Sequence, residues 1–185
     1  MTKHDRINEL VDELNELKLS SMAASLDALY HSGSLDELDA VSLLEQVVEP
    51  EYQSKTSQRF QNRLKRAHLS GGPQSLDKCN DSSERIYLPS GINSTLSSLE
   101  FIKEGLNVCI LGPSDSGKSY LAKALGIHAC LNFRAMYHHC EEFLETMVAL
   151  KHADYMKYQK KVRFYLNLDL LILDDFLLHT ITDER

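Results

Sequence analysis

A G-x-x-x-x-G-K-S motif at residues 112–119 is the feature that most constrains what this chain can fold into. An apolar run at residues 108–111, suited to a buried parallel strand, precedes the motif, and an amphipathic segment begins at Lys118. In a strand–loop–helix context such a motif binds phosphates, because its backbone N–H groups converge on them and the helix N-terminus adds partial positive charge. The alternative is a Gly-rich turn with an unrelated Lys-Ser pair, which requires motif and context to coincide by chance.

The motif assigns a separate role to each of its functional side chains. Lys118 is expected to reach the β- and γ-phosphates, and the Ser119 hydroxyl is expected to bind Mg²⁺. The predicted cofactors are therefore ATP and Mg²⁺. The predicted nucleotide-binding set covers the loop and the start of the helix: Gly112, Pro113, Ser114, Asp115, Ser116, Gly117, Lys118, Ser119 and Tyr120.

A second apolar run, at residues 170–173, ends in Asp174 and Asp175. In a P-loop nucleotidase such a strand end holds Mg²⁺ through the first acid, here Asp174, opposite Ser119. The second acid, Asp175, orients or deprotonates the attacking water and joins Lys118 as a candidate catalytic residue. Four aliphatic residues before two aspartates are common. Here they follow a phosphate loop, with helix, strand (residues 133–138) and helix between, and this order supports the assignment.

Composition bounds the class of protein. A chain of 185 residues is long enough for one core and a smaller appendage. The formal charge of -7 argues against coating nucleic acid by global attraction, although it leaves room for a local basic face. No apolar run approaches the roughly 20 residues that span a bilayer, and the N-terminus lacks a signal-peptide core, so we expect a cytoplasmic protein without membrane contact.

The N-terminal region is predicted to be an all-α domain over residues 1–70. Apolar spacing over residues 7–30 predicts two short amphipathic helices, or one that bends. Ser34 with Glu37 predicts a capping box for a third helix, and Pro50 predicts a kink or restart within it. A Ser, Gly, Pro and Asp-rich linker is predicted at residues 71–85, followed by an ATP-binding domain over residues 86–185.

Two stretches carry positive charge. The third helix aligns basic residues that can contact DNA phosphates or form a solvated face, and the sequence favours neither interpretation: Lys55, Arg59, Arg63 and Arg66. Residues 151–163 mix tyrosines with basic side chains. Such a mixture can bind nucleic acid, although we favour a solvated helix.

His138, His139 and Cys140 stand side by side and suggest a metal site. Zinc sites usually draw their ligands from two such clusters, and the sequence offers only one, so we favour an ordinary strand end.

Several segments resemble one family, the IstB-like transposition helper ATPases, which are similar to DnaC-type helicase loaders within the AAA+ class. The resemblance covers most of the chain, and residues 126–130 are its most family-specific part, because nucleotide binding does not require them. The matching segments are residues 17–26, 63–67, 87–92, 107–108, 112–119, 124–130 and 169–175.

The resemblance implies an α/β fold, a three-layer αβα P-loop core of the AAA+ class preceded by the all-α domain. It implies an ATP-dependent partner of a transposase. This partner self-associates on DNA and binds DNA without sequence preference, and residues 1–70 face the transposase or the DNA. Two other functions stay open. One is helicase loading in DNA replication, and the other is a degenerate remnant that only binds nucleotide.

Departures from the family pattern bear on turnover. Asp115 stands where glycine is frequent, and Leu177 follows Phe176 where glycine is usual. In the family, the sheet order is 5-1-4-3-2, and this chain ends shortly after the third strand. The resemblance therefore implies C-terminal truncation, without the fourth strand, the arginine finger and the lid. An arginine finger is worth roughly 10³ to 10⁵ in rate, so we expect weak or absent ATP hydrolysis.

Overall fold

A computed structural model of the chain describes residues 1–71, 75–79, 81 and 86–176. The chain divides into two compact units, Met1–Arg59 and Phe60–Arg185. Most of the predicted linker and all residues after 176, including Leu177, lie outside the described residues. The predicted domain boundary at residue 70 stays a prediction.

Regular secondary structure in the first unit is helical. The predicted pair of short helices is confirmed as α1 and α2, and a capping box between Thr2 and Asp5 begins α1. The elements are α1 (Lys3–Glu16), α2 (Ser20–His31), a 3₁₀ turn (Ser34–Asp36) and the larger part of α3 (Ala40–Arg66).

The predicted start of α3 is wrong, and of the two alternatives predicted at Pro50 the restart does not occur. The helix begins at Ala40, not near Ser34, because the Asp39 carboxylate accepts the backbone N–H groups of Val41 (2.9 Å) and Ser42 (3.1 Å). The helix also continues through Pro50 without a restart. Proline removes one N–H group, and the long helix on both sides tolerates that loss.

The second unit begins with the last turns of α3 and contains the sheet. Its elements are a 3₁₀ turn (Leu76–Lys78), α4 (Ile92–Ser97), α5 (Glu100–Lys103), α6 (Lys118–Ala129), β1 (Ala135–His139), α7 (Cys140–Ala153), α8 (Tyr155–Leu166) and β2 (Leu170–Asp174). The predicted strands at residues 133–138 and 170–173 correspond to β1 and β2.

β1 and β2 pair in parallel, with Tyr137 opposite Ile172 and His139 opposite Asp174. Arg134 and Asp169 hold the start of the pair, since the Arg134 backbone N–H donates to the Asp169 carboxylate (2.7 Å) and the Asp169 N–H donates to the Arg134 carbonyl (3.0 Å). Both strands therefore end together, and His139 and Asp174 lie at one edge of the sheet.

The strand predicted at residues 108–111 is not formed. Its side chains are mostly exposed, with Leu111 86% exposed, and only Ile110 packs against the core. A strand needs a hydrogen-bonded neighbour, and among the described residues the sheet consists of β1 and β2 alone. The small parallel sheet and its helices support the α/β class, and the three-layer arrangement stays a prediction.

Helix α6 connects the phosphate loop to the core. Its inward face buries five residues, Leu121, Ala124, Leu125, Gly126 and Ala129. At Gly126 a Cβ atom would lie 2.7 Å from Ile172 Cδ1 and 2.8 Å from Leu69 Cδ1, so glycine permits the close packing of α6 on β2. This packing is a physical reason for Gly126, the first of the family-like residues 126–130, which nucleotide binding alone does not explain.

Candidate functional site

The residues of the loop between positions 112 and 117 suit its backbone, which contains a close contact and two left-handed conformations. A Cβ atom at Gly112 would lie 3.0 Å from the Ser116 hydroxyl oxygen, so any side chain at this position would have to displace that hydroxyl. Asp115 (φ 58°) and Gly117 (φ 87°) both adopt left-handed backbone. Aspartate tolerates that conformation better than most residues do, which explains how Asp115 occupies a position where glycine is frequent.

The loop leads directly into the N-terminus of α6, whose first backbone N–H groups can donate to a ligand. Gly117 caps the helix without a side-chain hydrogen bond, so the first N–H groups of α6 are open to an anion. The Lys118 ammonium donates to the Pro113 carbonyl (2.7 Å) and therefore lies back over the loop. The geometry matches a phosphate cradle in which Lys118 exchanges a loop carbonyl for a phosphate oxygen.

Tyr120 contacts a different part of the protein from the other predicted nucleotide-binding residues. Its hydroxyl accepts the Ser75 backbone N–H (3.2 Å), and its ring packs at the margin of the core. The loop's remaining predicted residues, Pro113, Ser114 and Ser116, form the turn itself.

The two predicted metal residues are brought together from positions 55 residues apart. The Ser119 hydroxyl, at the start of α6, donates to Asp174 Oδ1 at the end of β2 (3.0 Å). This bond joins the phosphate loop to the sheet edge, and it pairs the two oxygen ligands that a hard cation prefers.

The Asp174 carboxylate is also held by other donors. The Tyr137 hydroxyl donates to Oδ2, and the Asp175 backbone N–H donates to Oδ1 (3.1 Å). Burial alone raises the pKa of Asp174, but the hydrogen bonds from Tyr137 and Ser119 outweigh it, so the pKa lies below its usual value. The carboxylate is therefore ionised at neutral pH and suited to bind a cation.

The pKa of Tyr137 moves in the opposite direction. Burial raises it first, and the hydrogen bond to Asp174 and the nearby negative charge raise it further. The Lys123 ammonium lies 4.7 Å from the centre of the Tyr137 ring. The phenol is thus a neutral, permanent donor to Asp174.

Asp175 completes an acidic group at the same edge. Its backbone is left-handed (φ 54°), and its carboxylate lies 3.4 Å from His139 Nδ1. One ligand atom from each of His139, Asp174 and Asp175 lies within 4.8 Å of the others. This cluster has the composition of a divalent cation site.

Sequence reasoning missed Tyr137, and it considered His139 as a metal ligand only together with His138 and Cys140 and then favoured an ordinary strand end. The signal for His139 was the parallel pairing of two strands that end together, which places it opposite Asp174. Cys140 is buried and His138 packs against Phe143, with ring centres 5.3 Å apart, so the three neighbouring residues do not converge on one metal. No simple pattern in the sequence identifies Tyr137.

Two of the four predicted DNA-facing residues donate to acceptors within the protein. In the first unit, Lys55 donates to the Lys18 carbonyl (2.8 Å) and lies 3.4 Å from Glu51. Glu51 in turn accepts the Ser21 N–H (2.8 Å) at the start of α2. Lys55 therefore helps to hold the turn between α1 and α2.

In the second unit, the Arg63 guanidinium donates to the carbonyls of Cys130 (3.2 Å) and Leu131. It therefore caps the C-terminal end of α6, where a cation also complements the helix dipole. The side chains of Arg59 and Arg66 are exposed.

Helix α8 presents a different basic surface. Its 12 residues include four basic side chains and no acidic one: Lys157, Lys160, Lys161 and Arg163. Tyr155 is 59% exposed and Phe164 is 45% exposed, while Tyr165 packs inward against Phe143 with ring centres 4.9 Å apart. In a chain of net charge -7, this helix combines local positive charge with exposed rings.

Among the described residues, no helix has both the length and the apolar character needed to cross a membrane.

A G-x-x-x-x-G-K-S loop that opens a helix, with its serine bonded to an aspartate at a neighbouring strand end, defines a P-loop nucleotide-binding protein. Residues 12–184 match the model of the family described as IstB-like ATP binding protein. The chain belongs to this family, as its sequence predicted.

Curated relatives agree with the family assignment. An insertion-sequence ATP-binding protein of Sinorhizobium fredii is 30% identical over 94% of this chain and 70% of its own length. The insertion sequence IS1162 ATP-binding protein of Pseudomonas fluorescens is 28% identical over 95% of this chain and 73% of its own length. The insertion sequence IS21 ATP-binding protein of Pseudomonas aeruginosa is 25% identical over 91% of this chain, which spans 63% of that protein.

Proposed function

We propose that this chain binds ATP together with Mg²⁺ and serves as the ATP-binding partner of a transposase in a DNA transposition system. The hydrogen bond between Ser119 and Asp174 is the observation that carries the nucleotide proposal, because it assembles a metal-binding pair from both halves of a P-loop site. The insertion-sequence relatives support the place of this chain in transposition.

The residues present fit ATP and Mg²⁺. The open N-terminus of α6 and Lys118 would hold the phosphates, and Ser119 and Asp174 would hold Mg²⁺, with Asp174 acting directly or through water. Bound Mg²⁺ would neutralise phosphate charge. Asp175 is the proposed base, since its exposed carboxylate lies beside His139 at the same sheet edge.

Isothermal titration calorimetry tests the nucleotide proposal. We expect saturable binding of ATP in the presence of Mg²⁺, and weaker binding of ATP when EDTA removes the metal. Absence of detectable heat with Mg²⁺ and ATP at millimolar concentration would refute the proposal. Phosphate release measured on the same preparation tests the expectation of weak turnover.

We also propose that α8 contacts DNA, since the helix carries four cations, two exposed rings and no acidic residue of its own. Lys157 lies 3.3 Å from the Asp154 carboxylate at the N-cap, and the other three cations lie further along the helix. Arg59 and Arg66 are proposed as a second set, because Lys55 and Arg63 donate to internal carbonyls. Fluorescence anisotropy with a labelled oligonucleotide compares K157Q/K160Q with R59Q/R66Q. We expect weaker binding and a shallower salt dependence from K157Q/K160Q, and equal affinity with wild type would remove α8 from the interface.

Co-purification tests the partner. The transposase of the same transposition system should bind this chain in the presence of ATP and DNA, with self-association of this chain on DNA measured by light scattering. Binding to a replicative helicase and not to the transposase would instead support the helicase-loader function.

A further inference from the structure

We propose that Tyr137 is a positioning residue for Asp174, and that its hydroxyl fixes the carboxylate in the orientation that supports Mg²⁺ beside bound nucleotide. This inference rests on the proposed binding of ATP and Mg²⁺. It assigns a role to a residue outside both motifs of the site, on the strand next to the one that carries Asp174.

Tyr137 is itself rigidly held. Only 4% of its surface is exposed, and it lies in the middle of β1, paired with Ile172. Its backbone N–H donates to the Ala67 carbonyl (2.9 Å), which ties β1 to the segment that follows α3. A hydroxyl on such a frame has one position, so it can impose that position on its acceptor.

The hydrogen bonds of Asp174 divide between its two oxygens. Oδ1 accepts from the Ser119 hydroxyl (3.0 Å) and the Asp175 N–H (3.1 Å), whereas Oδ2 accepts from Tyr137. The final torsion of an aspartate side chain is broad, and the two carboxylate oxygens turn together about the Cβ–Cγ bond, so donors on both oxygens hold that torsion more firmly than donors on one oxygen alone. Tyr137 supplies the second anchor, and the orientation of the carboxylate is set before any ligand binds.

The Lys123 ammonium, 4.7 Å from the ring centre, attracts the electron-rich face of Tyr137. Replacing tyrosine by phenylalanine keeps the ring, its burial and this contact, and it removes only the hydroxyl. Tyr137→Phe therefore separates the hydrogen bond to Asp174 from the packing of the strand.

The test measures ATP affinity across a series of Mg²⁺ concentrations and in EDTA. For Tyr137→Phe we expect unchanged affinity in EDTA, because the loop and Lys118 are intact. The Mg²⁺ concentration at which half of the metal-dependent increase in ATP affinity is reached should rise about tenfold, since a hydrogen bond to a charged group is lost. Tyr165→Phe is the matched control, because its hydroxyl lies 3.1 Å from His138 Nε2 and not near Asp174.

A variant combination completes the test. In an Asp174→Asn background, Tyr137→Phe should cause no further shift in the Mg²⁺ dependence. Wild-type Mg²⁺ dependence in Tyr137→Phe would overturn the inference, and so would an equal loss of affinity in EDTA and in Mg²⁺, which would indicate a structural role only. If wild type gains no affinity from Mg²⁺, the proposed function itself fails and the inference fails with it.

Discussion

The two halves of the candidate site differ in how firmly the protein holds them. The sheet edge is preorganised, because Asp174 accepts hydrogen bonds from two side chains and one backbone group, and Tyr137 behind it is buried. The approach to the phosphate loop is open, because residues 108–111 pair with no described strand and Lys118 binds a carbonyl of its own loop.

This difference separates two tasks. A metal ion needs oxygen ligands at fixed distances, so rigid support for Asp174 favours it. Phosphates are held mainly by backbone N–H groups and a flexible lysine, which can close on the ligand when it arrives. We therefore expect changes in the loop to affect nucleotide affinity with or without metal, and changes at the sheet edge to affect the metal-dependent part or the stability of the fold.

The largest effect is expected from the loop. Lys118→Ala should lower ATP affinity about 100-fold, because charged hydrogen bonds to phosphate are lost. Calorimetry measures the change, and Lys103→Ala is a control, since Lys103 is an exposed cation paired with Glu100 at 2.6 Å. If Lys118→Ala binds ATP as wild type does, the loop is not the phosphate site.

A smaller effect is expected where α6 packs on β2. Gly126→Val should lower the free energy of unfolding by about 1–3 kcal/mol, because its side chain meets Ile172 and Leu69. Urea denaturation measures this loss. Ala122→Val places the same side chain at a half-buried position of the same helix and should change stability less. Equal losses from both variants would show that the close contact at Gly126 does not matter.

The smallest effect is expected at the start of the β1–β2 pair, where Arg134 and Asp169 meet. The Arg134 backbone N–H lowers the pKa of Asp169, and its guanidinium lowers it further. A lowered pKa in the folded protein means that the ionised carboxylate stabilises the fold at pH values above its pKa in the unfolded chain, about 3.9. This stability is lost as the pH falls through the pKa of the folded protein. Asp169→Asn should therefore flatten the loss of stability below about pH 4 in urea titrations. A profile as steep as that of wild type would contradict this contribution.

Much of the site could be predicted from sequence because its motif residues follow local rules. Gly112, Lys118 and Ser119 follow a fixed spacing, and the aspartate at the end of an apolar strand follows from the order of elements. The meeting of Ser119 and Asp174 was expected on these grounds, and the structure places them 3.0 Å apart.

The remaining features depend on contacts distant in sequence. Tyr137 acquires its role only through the register of β1 on β2, and Arg63 is engaged only because the end of α6 lies beside it. Residues 108–111 have strand-like composition but lack a described partner strand. At Pro50 the long helix outweighs the local preference for a break.

The most direct test of the central claim compares Lys118→Ala with Asp174→Asn by calorimetry, with ATP in Mg²⁺ and in EDTA. A single site for ATP and Mg²⁺ predicts that Lys118→Ala loses affinity under both conditions, whereas Asp174→Asn keeps its affinity in EDTA and loses the gain that Mg²⁺ provides. Identical behaviour of Asp174→Asn and wild type in Mg²⁺ would contradict the claim that the phosphate loop and the end of β2 form one site for ATP and Mg²⁺.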